Sequence, residues 1–275
     1  MSKLVCFDVD GTLVNQENQV PDSAVEAVGK LRENGHLPVI ATGRPPILLK
    51  DLADRLHINA FVGLNGQYAS VDGQSIYTNP IDTDDLENLI ETSYKLGSRT
   101  MLLTESDIIG NQFMKELADP DFMSLVYSEF SKIDSMATSE MFKRMTEKPL
   151  DRSRYENEDI LIAFVHAVES EDEQYKEALP QFHFTRATDI LSEVLPQGSS
   201  KFIGIKALAE YFDIDHEDIV TFGDSLNDME MIQEAGVGVA MGNGRDELKD
   251  AADYVTTTVD ENGIYNALQA LHLIK

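Results

Sequence analysis

The sequence has little cysteine, little positive charge and no long hydrophobic run, and each shortage excludes a class of protein. Cys6 is the single cysteine among 275 residues, so no disulfide can form within the chain, which fits a reducing compartment. No stretch approaches the roughly 20 apolar residues of a membrane span, and the N-terminus has no apolar segment of signal-peptide length. We therefore expect a soluble, cytoplasmic protein.

Positive charge is scarce along the whole chain. There are 22 lysines and arginines against 49 aspartates and glutamates, which gives a formal net charge of −27 at pH 7. A surface this acidic repels nucleic-acid backbones and anionic lipid headgroups. The composition therefore argues against nucleic-acid binding and membrane-surface binding, and it leaves the oligomeric state open.

Short apolar runs alternate with helical patterns at both ends of the chain. The runs are continuous and do not alternate with polar residues, which is typical of parallel strands covered on both faces. An Asp72-Gly73 turn signal also predicts a hairpin over 67–77. The predicted strands lie at 5–10, 37–43, 60–66, 191–196, 218–224, 237–242 and 252–256. Strands separated by helices in this way predict an α/β fold with a Rossmann-like parallel sheet.

The middle of the chain has a different texture, in which helical and strand patterns mix with clusters of charge. These patterns lie at 84–96, 100–104, in parts of 111–146 and at 159–168. We interpret this stretch as an α+β module inserted into the parallel-sheet domain. The predicted division is a discontinuous core domain, residues 1–80 and 191–275, and an inserted α+β domain, residues 81–190.

Polar residues gather where the predicted parallel strands end, and a lysine opens a later helix. In an open parallel sheet, ligands bind beyond the carboxyl ends of the strands. Each of these residue types is also common in turns and helix caps, so a single position has a structural alternative. Their convergence on one edge of the sheet favours a binding site. The residues are Asp8, Asp10, Gly11, Thr12, Thr42, Gly43, Arg44, Asn65, Gly66, Lys201, Asp224, Asn227 and Asp228.

The types of residue in this set suit phosphoryl transfer. Asp8, Asp224 and Asp228 would repel one another unless a hard cation bound them, and oxygen ligands favour Mg²⁺. The Thr42 hydroxyl and the Lys201 ammonium group can contact phosphate oxygens. A carboxylate nucleophile would divide a very slow hydrolysis into two steps through an aspartyl-phosphate.

Four short motifs, in order along the chain, resemble those of the haloacid dehalogenase-like (HAD) phosphatase superfamily. They are DVDGT at 8–12, Thr42, Lys201 and GDSLND at 223–228. With ATGR at 41–44, LNG at 64–66 and the insert between the second and third motifs, the chain is similar to the Cof-type sugar-phosphate phosphatases. The resemblance implies a Mg²⁺-dependent phosphatase that acts on phosphate monoesters of small metabolites. It also implies that the insert is a cap that closes over the site and selects the substrate.

The resemblance implies a role for each residue of the set. Asp8 would be the nucleophile, and Asp10 would protonate the leaving group and then activate water. Asp8, the Asp10 backbone carbonyl and Asp224 would hold the metal, with Asp228 as a direct ligand or as a support behind the ligands. The residues expected to bind the phosphoryl group or the rest of the substrate are Thr42, Gly43, Arg44, Asn65, Lys201 and Asn227.

Two alternatives accompany the phosphatase interpretation. A phosphosugar mutase shares the DVDGT start and a similar cap position, although its last motif is spaced differently. A non-catalytic metabolite-sensing module on the same fold would have no need to keep the nucleophile Asp8. Outside the candidate set, Asn243 in MGNGRDE is interpreted as the cap of the next helix.

Overall fold

The computed structural model describes residues 2–98, 100–110, 152–188 and 191–275. Contacts divide the chain into two compact units. The core unit comprises Met1–Tyr77 and Ser200–Lys275, and the inserted unit comprises Thr78–Ser199. The helical patterns predicted within 111–146 lie outside the described residues.

The strands and helices of the described residues are numbered here along the chain. The strands are β1 (Leu4–Phe7), β2 (Leu37–Ala41), β3 (Ala60–Gly63), β4 (Tyr68–Val71), β5 (Gln74–Thr78), β6 (Thr100–Leu103), β7 (Ile108–Gly110), β8 (Ile162–His166), β9 (Phe182–Thr188), β10 (Leu191–Pro196), β11 (Ile219–Gly223), β12 (Val237–Ala240) and β13 (Tyr254–Val255). The helices are α1 (Asp22–Glu33), α2 (Lys50–Leu56), α3 (Thr83–Lys95), α4 (Asp172–Ala178), α5 (Lys201–Tyr211), α6 (Met229–Glu234), α7 (Asp246–Ala251) and α8 (Gly263–Ala270). Within this part of the chain, no helix is both long enough and apolar enough to cross a membrane.

The core unit is built on one sheet with the strand order β13-β12-β11-β1-β2-β3-β4-β5. Neighbouring strands from β13 to β3 run parallel, and β4 turns back antiparallel to β3. Phe7 of β1 pairs with Ile40 of β2 and with Phe222 of β11, so the carboxyl ends of these three strands lie side by side. The predicted α/β class is confirmed, and so is the hairpin, whose turn places Asp72 and Gly73 at positive φ between β4 and β5.

Apolar side chains cover both faces of the core sheet. Val5 and Phe7 on one face pack in a cluster with residues of α1 and α8. Leu4 and Cys6 on the other face pack with residues of α5. All four residues of β1 are fully buried, which explains the continuous apolar run. Because helices cover both faces of the sheet, the polar side chains that follow β1 are accommodated at the carboxyl end of the strand and not on a face of the sheet.

The inserted unit has its own sheet, in the order β7-β6-β8-β10-β9, and its four strand pairs are antiparallel. Leu89 of α3, Tyr175 of α4 and Val194 of β10 belong to one buried apolar cluster. A separate sheet with a separate core gives this unit an α+β architecture of its own.

Strand β10 lies in a different unit from the one predicted. The sequence assigns 191–196 to the core domain, but β10 pairs with β8 and β9, and the core unit resumes at Ser200. A short apolar strand before a helix has the same local pattern in a parallel and in an antiparallel sheet. Only the neighbouring strands distinguish a parallel from an antiparallel sheet, and those neighbours are set by contacts with residues distant in sequence.

Candidate active site

A buried lysine lies between two buried carboxylates at the carboxyl edge of the core sheet. Lys201, the first residue of α5, places Nζ 2.6 Å from Asp8 Oδ1 and 2.6 Å from Asp228 Oδ1. The side chains of Lys201, Asp8 and Asp228 are 1%, 6% and 0% exposed, respectively. Charges this deeply buried persist only when they are paired and hydrogen-bonded. The three residues therefore form one electrostatic unit.

Asp228 is held by its own loop as well as by the lysine. Its Oδ2 accepts the backbone N–H groups of Asp224 and Ser225, both at 3.0 Å, while its Oδ1 faces Lys201. Both carboxylate oxygens thus bind protein groups. Asp228 closes the turn after β11 and fixes the position of the Lys201 ammonium group.

Asp224 completes an acidic cluster with Asp8 and Asp228, in which one carboxylate oxygen from each residue lies within 4.8 Å of the other two. Burial and the charge of Asp228 raise the pKa of Asp8 well above its ordinary value, although Lys201 opposes the shift. Burial and the charge of Asp228 also raise the pKa of Asp224 to about 7, opposed by a 3.1 Å hydrogen bond from the Thr12 hydroxyl. Burial lowers the pKa of Lys201, but the charges of Asp228 and Asp8 outweigh it and raise the pKa above the ordinary lysine value.

The charge balance of this cluster fits a small divalent cation. The site holds three carboxylates and one ammonium group, so the ionised cluster has an excess of two negative charges in a largely buried place. Such an excess is unfavourable without a counter-charge, and the raised pKa values of Asp8 and Asp224 express that. The atoms available as metal ligands are carboxylate oxygens, which hard divalent cations prefer.

Asp10 and Arg44 form a second ion pair at the same edge of the sheet. Arg44 donates from Nε to Asp10 Oδ2 at 3.0 Å and from Nη2 to Asp10 Oδ1 at 2.5 Å. The Arg44 side chain is 11% exposed, whereas that of Asp10 is 65% exposed. The two aspartates of DVDGT therefore lie in different environments, one buried beside a lysine and the other exposed against an arginine.

The turns after β2 and β3 bring Thr42, Gly43 and Asn65 together. Thr42 is buried, its Oγ1 accepts the Arg44 N–H at 3.2 Å, and its carbonyl accepts the Asn65 N–H at 3.2 Å. Asn65 adopts a left-handed conformation with φ of 50°. A β-carbon on Gly43 would come within 3.0 Å of Asn65 Oδ1, so the Asn65 side chain lies directly against Gly43.

Gly66 allows α5 to approach the turn after β3. It has a φ of +92°, and a β-carbon there would lie 2.8 Å from the carbonyl carbon of Ser200. The backbone of this turn therefore packs directly on the start of α5, and this contact sets the position of Lys201 at the sheet edge. Asn227 is exposed in the turn after β11, where its Oδ1 accepts the Ser225 hydroxyl at 2.5 Å.

The sequence model of the haloacid dehalogenase-like hydrolases matches residues 5–268. The chain belongs to this family. This match confirms the resemblance that the DVDGT and GDSLND motifs indicated.

Relatives of this hydrolase identify its class of activity. It is 34% identical over 275 residues to YkrA of Bacillus subtilis (strain 168), a candidate phosphatase by its name, with coverage of 100% of this chain and 99% of YkrA. It is 26% identical over 279 residues to the 5-amino-6-(5-phospho-D-ribitylamino)uracil phosphatase YitU of the same bacterium, covering 97% and 96% of the two chains. Among solved structures, the HAD subclass IIB sugar phosphatase BT4131 matches with a TM-score of 0.81 and 28% identity over 99% of this chain and 100% of that one. The hydrolase is therefore a phosphatase that acts by phosphoryl transfer.

Asn243 has a structural role in the hydrolase that differs from the predicted one. It does not cap α7, whose N-cap position is Arg245. Instead its Nδ2 donates to the Gly11 carbonyl at 2.8 Å and its Oδ1 accepts the Val259 N–H at 2.9 Å. It thereby ties the loop after Asp10 to the C-terminal part of the core. Its place after β12, at the edge where the other site residues gather, is the signal that could have identified it.

Replacing Gly11 with alanine is expected to disable the acidic cluster. A β-carbon on Gly11 would lie 2.6 Å from Asp224 Cγ, so the carboxylate would have to move. Because a displacement of about 1 Å at a reacting centre can lower rates about 10²-fold, we expect a loss of that size in phosphate release from an aryl phosphate.

Gly35→Ala is the matched control for Gly11→Ala. Both glycines have a φ of +82°, but a β-carbon on Gly35 would meet nothing within 4 Å. Gly35→Ala therefore carries only the backbone strain, about 1–2 kcal/mol, and should lower the Tm while kcat stays near wild type. Equal activity in the two variants would contradict a role for the Gly11–Asp224 contact.

Proposed function

We propose that this phosphatase hydrolyses phosphate monoesters of small metabolites, such as sugar phosphates, with Mg²⁺ and through an aspartyl-phosphate on Asp8. The observation that carries the proposal is the buried Asp8 carboxylate, 2.6 Å from the Lys201 ammonium group, inside a cluster of carboxylate oxygens. A carboxylate nucleophile, a cation for the phosphoryl oxygens and a metal-binding cluster in one place suit phosphoryl transfer. No nucleic acid or membrane is expected as a partner.

The cluster divides into groups that would hold the metal and groups that would support it. Asp8 and Asp224 would bind Mg²⁺ through their carboxylates, and Asp10 through its backbone carbonyl. Asp228 would support the metal site without binding the metal directly, because its oxygens already bind Lys201 and two backbone N–H groups. When bound, Mg²⁺ would supply positive charge that offsets the negative charge of the phosphoryl oxygens.

The chain's own residues account for the proton and phosphoryl movements. The Asp8 carboxylate would attack phosphorus while Asp10 gives its proton to the leaving oxygen. The Asp10 carboxylate would then take a proton from a water molecule that attacks phosphorus, and the products are inorganic phosphate and the restored Asp8 carboxylate. The phosphoryl oxygens would be bound by Thr42, the Gly43 N–H, Lys201 and Asn227, with Asn65 positioned against Gly43.

The inserted unit would act as the cap that selects the organic part of the substrate. Similar proteins carry names for different substrates, a ribitylaminouracil phosphate for YitU and sugar phosphates for BT4131. An insert with a sheet and core of its own can change without disturbing the catalytic residues of the core unit.

The proposal is tested by measuring phosphate release from a panel of sugar phosphates, nucleotides, a ribitylaminouracil phosphate and an aryl phosphate. Turnover should require Mg²⁺, should be abolished by EDTA, and should yield free phosphate and not an isomerised sugar phosphate. Because the metal must displace protons from Asp8 and Asp224, whose pKa values are both raised, that of Asp224 to about 7, the half-saturating Mg²⁺ concentration should rise as pH falls below that value. The rise should approach about tenfold per pH unit for one proton.

Three results would count against the proposal. Turnover that persists in EDTA would contradict the metal requirement. Isomerisation without phosphate release would contradict hydrolysis, and a half-saturating Mg²⁺ concentration that does not change with pH would contradict the assignment of Asp224 as a ligand.

A further inference from the structure

We propose that Arg44 is a positioning residue for Asp10, and that its guanidinium group sets where the Asp10 carboxylate lies for both proton transfers. This inference rests on the proposed roles of Asp8 and Asp10. The sequence predicts Arg44 as a substrate contact, but the contacts of its guanidinium group point to a different partner.

The contact between the two side chains has a defined geometry. The Nε and Nη2 atoms of Arg44 each donate to a different oxygen of Asp10, at 3.0 and 2.5 Å. Two parallel hydrogen bonds fix the plane of a carboxylate as well as its distance, whereas a lysine in the same place would fix only a distance.

Arg44 is the anchored member of the pair. Its side chain is 11% exposed, against 65% for Asp10. Its backbone is tied on both sides, because its N–H donates to Thr42 Oγ1 at 3.2 Å and its carbonyl accepts the Leu64 N–H at 3.3 Å. A largely exposed carboxylate takes its orientation from an anchored, largely buried guanidinium group, and not the reverse.

The position of Asp10 matters because it has to act twice. A general acid or base must come within about 2.6–3.2 Å of the atom that loses or gains the proton. In the first step the Asp8 carboxylate bonds to phosphorus, the bond from phosphorus to the leaving oxygen breaks, and that oxygen takes the proton of the protonated Asp10 carboxyl group. In the second, water gives a proton to Asp10 while its oxygen bonds to phosphorus and the bond from phosphorus to Asp8 breaks. The Arg44 guanidinium group contacts the Asp10 carboxyl group and neither gives nor takes a proton in either step.

A double-mutant cycle distinguishes positioning of Asp10 from binding of substrate. The variants are Arg44→Gln, Asp10→Asn and the double variant, assayed for kcat and KM with an aryl phosphate and saturating Mg²⁺. General acid–base catalysis contributes about 10²–10⁴-fold, so Arg44→Gln should lower kcat by about 10–100-fold. Its KM should change little, and adding it to Asp10→Asn should have almost no further effect.

A different pattern would overturn the proposal. If Arg44 binds the phosphoryl group, its loss should raise KM, weaken inhibition by inorganic phosphate and multiply the loss caused by Asp10→Asn. Should Arg44→Gln fail to fold, the cycle is repeated with Arg44→Lys, which keeps the charge and loses the paired geometry. Wild-type kcat in Arg44→Lys would equally overturn the proposal.

Two controls separate this inference from the proposed function. Arg55 is an arginine outside the site, whose Nη2 lies 3.9 Å from Asp22 Oδ1 and donates to the Val20 carbonyl. Arg55→Gln should therefore leave kcat and KM unchanged. Phosphate release that Asp8→Asn does not affect would overturn the proposed function itself. Loss of release in Asp8→Asn, combined with multiplicative losses in the cycle, would overturn only the role of Arg44.

Discussion

Asp8→Asn should lower phosphate release by about 10⁴-fold or more, a loss typical of removing a covalent nucleophile. The amide has nearly the shape of the carboxylate and keeps an oxygen for the Lys201 ammonium group, but it cannot form an aspartyl-phosphate. The backbone hydrogen bond from the Asp8 N–H to the Phe222 carbonyl, at 2.9 Å, is unaffected. The loss should therefore appear in kcat with the fold intact.

The same variant should be at least as stable as the wild type at neutral pH without metal. Burial and the Asp228 charge raise the pKa of Asp8, so the folded state binds more protons than the unfolded state above the ordinary aspartate pKa. Wild-type stability then falls as pH rises through that window. The substituted amide does not titrate, so the variant lacks this fall. Thermal unfolding at pH 5 and pH 8 measures the difference.

Asp218→Asn is the matched control for Asp8→Asn. Asp218 is also paired with a lysine, Lys3, at 2.7 Å, but it precedes β11 and lies away from its carboxyl end. The two substitutions change the charge equally. Asp218→Asn should leave kcat within about twofold of wild type, as most substitutions outside a site do. Comparable, mild losses in the two variants would exclude Asp8 as the nucleophile.

The parts of the fold predicted from the sequence are those set by local pattern. The run Leu4–Phe7 is continuous and apolar because β1 is covered on both faces. Once the parallel sheet is predicted, the polar residues at the strand ends are placed at one edge, and Asp8, Lys201, Asp224 and Asp228 do lie together there.

The parts that could not be predicted depend on contacts between distant residues. The sheet to which β10 belongs is decided by its pairing with β8 and β9. The partner of Arg44 is Asp10, 34 residues earlier in the chain, and the partner of Asn243 is Gly11, 232 residues earlier. The place of Asn243 after β12 indicates the edge of the sheet at which it lies, but the local sequence does not indicate which residue Arg44 or Asn243 contacts, because each residue type also occurs in turns and caps.

The different surroundings of Asp8 and Asp10 also follow from long-range geometry. A strand that continued through both would place them on the same side, since side chains alternate with period two. However, β1 ends at Phe7, and Gly11 turns the chain at a φ of +82°. Asp8 then meets Lys201 in the interior, and Asp10 meets Arg44 near the surface. One motif thus supplies a buried carboxylate beside Lys201 and an exposed carboxylate beside Arg44, as the two proposed roles require.

Lys201→Met should reduce both activity and stability by large amounts. Removing a group that stabilises developing charge typically lowers kcat by about 10²–10³-fold. The substitution also leaves Asp8 and Asp228 buried without their shared cation, and breaking a buried ion pair by removing one partner costs about 3–5 kcal/mol. Lys206→Met is the control on the same helix. Lys206 is half-exposed and its Nζ lies 3.8 Å from Glu234 Oε2, so this ion pair should contribute little to stability.

The pH dependence of this destabilisation identifies charge, and not lost packing, as its cause. Without Lys201, the pKa of the Asp8 carboxyl, already raised by burial and by Asp228, should rise further in the folded state. The folded state then holds protons that the unfolded state releases, so the loss of stability should be small near pH 5 and should grow towards pH 8. Mg²⁺ should restore part of the loss at pH 8, because a cation that binds only the folded state stabilises it. A loss that is equal at both pH values and insensitive to Mg²⁺ would mean that Lys201 acts through packing alone.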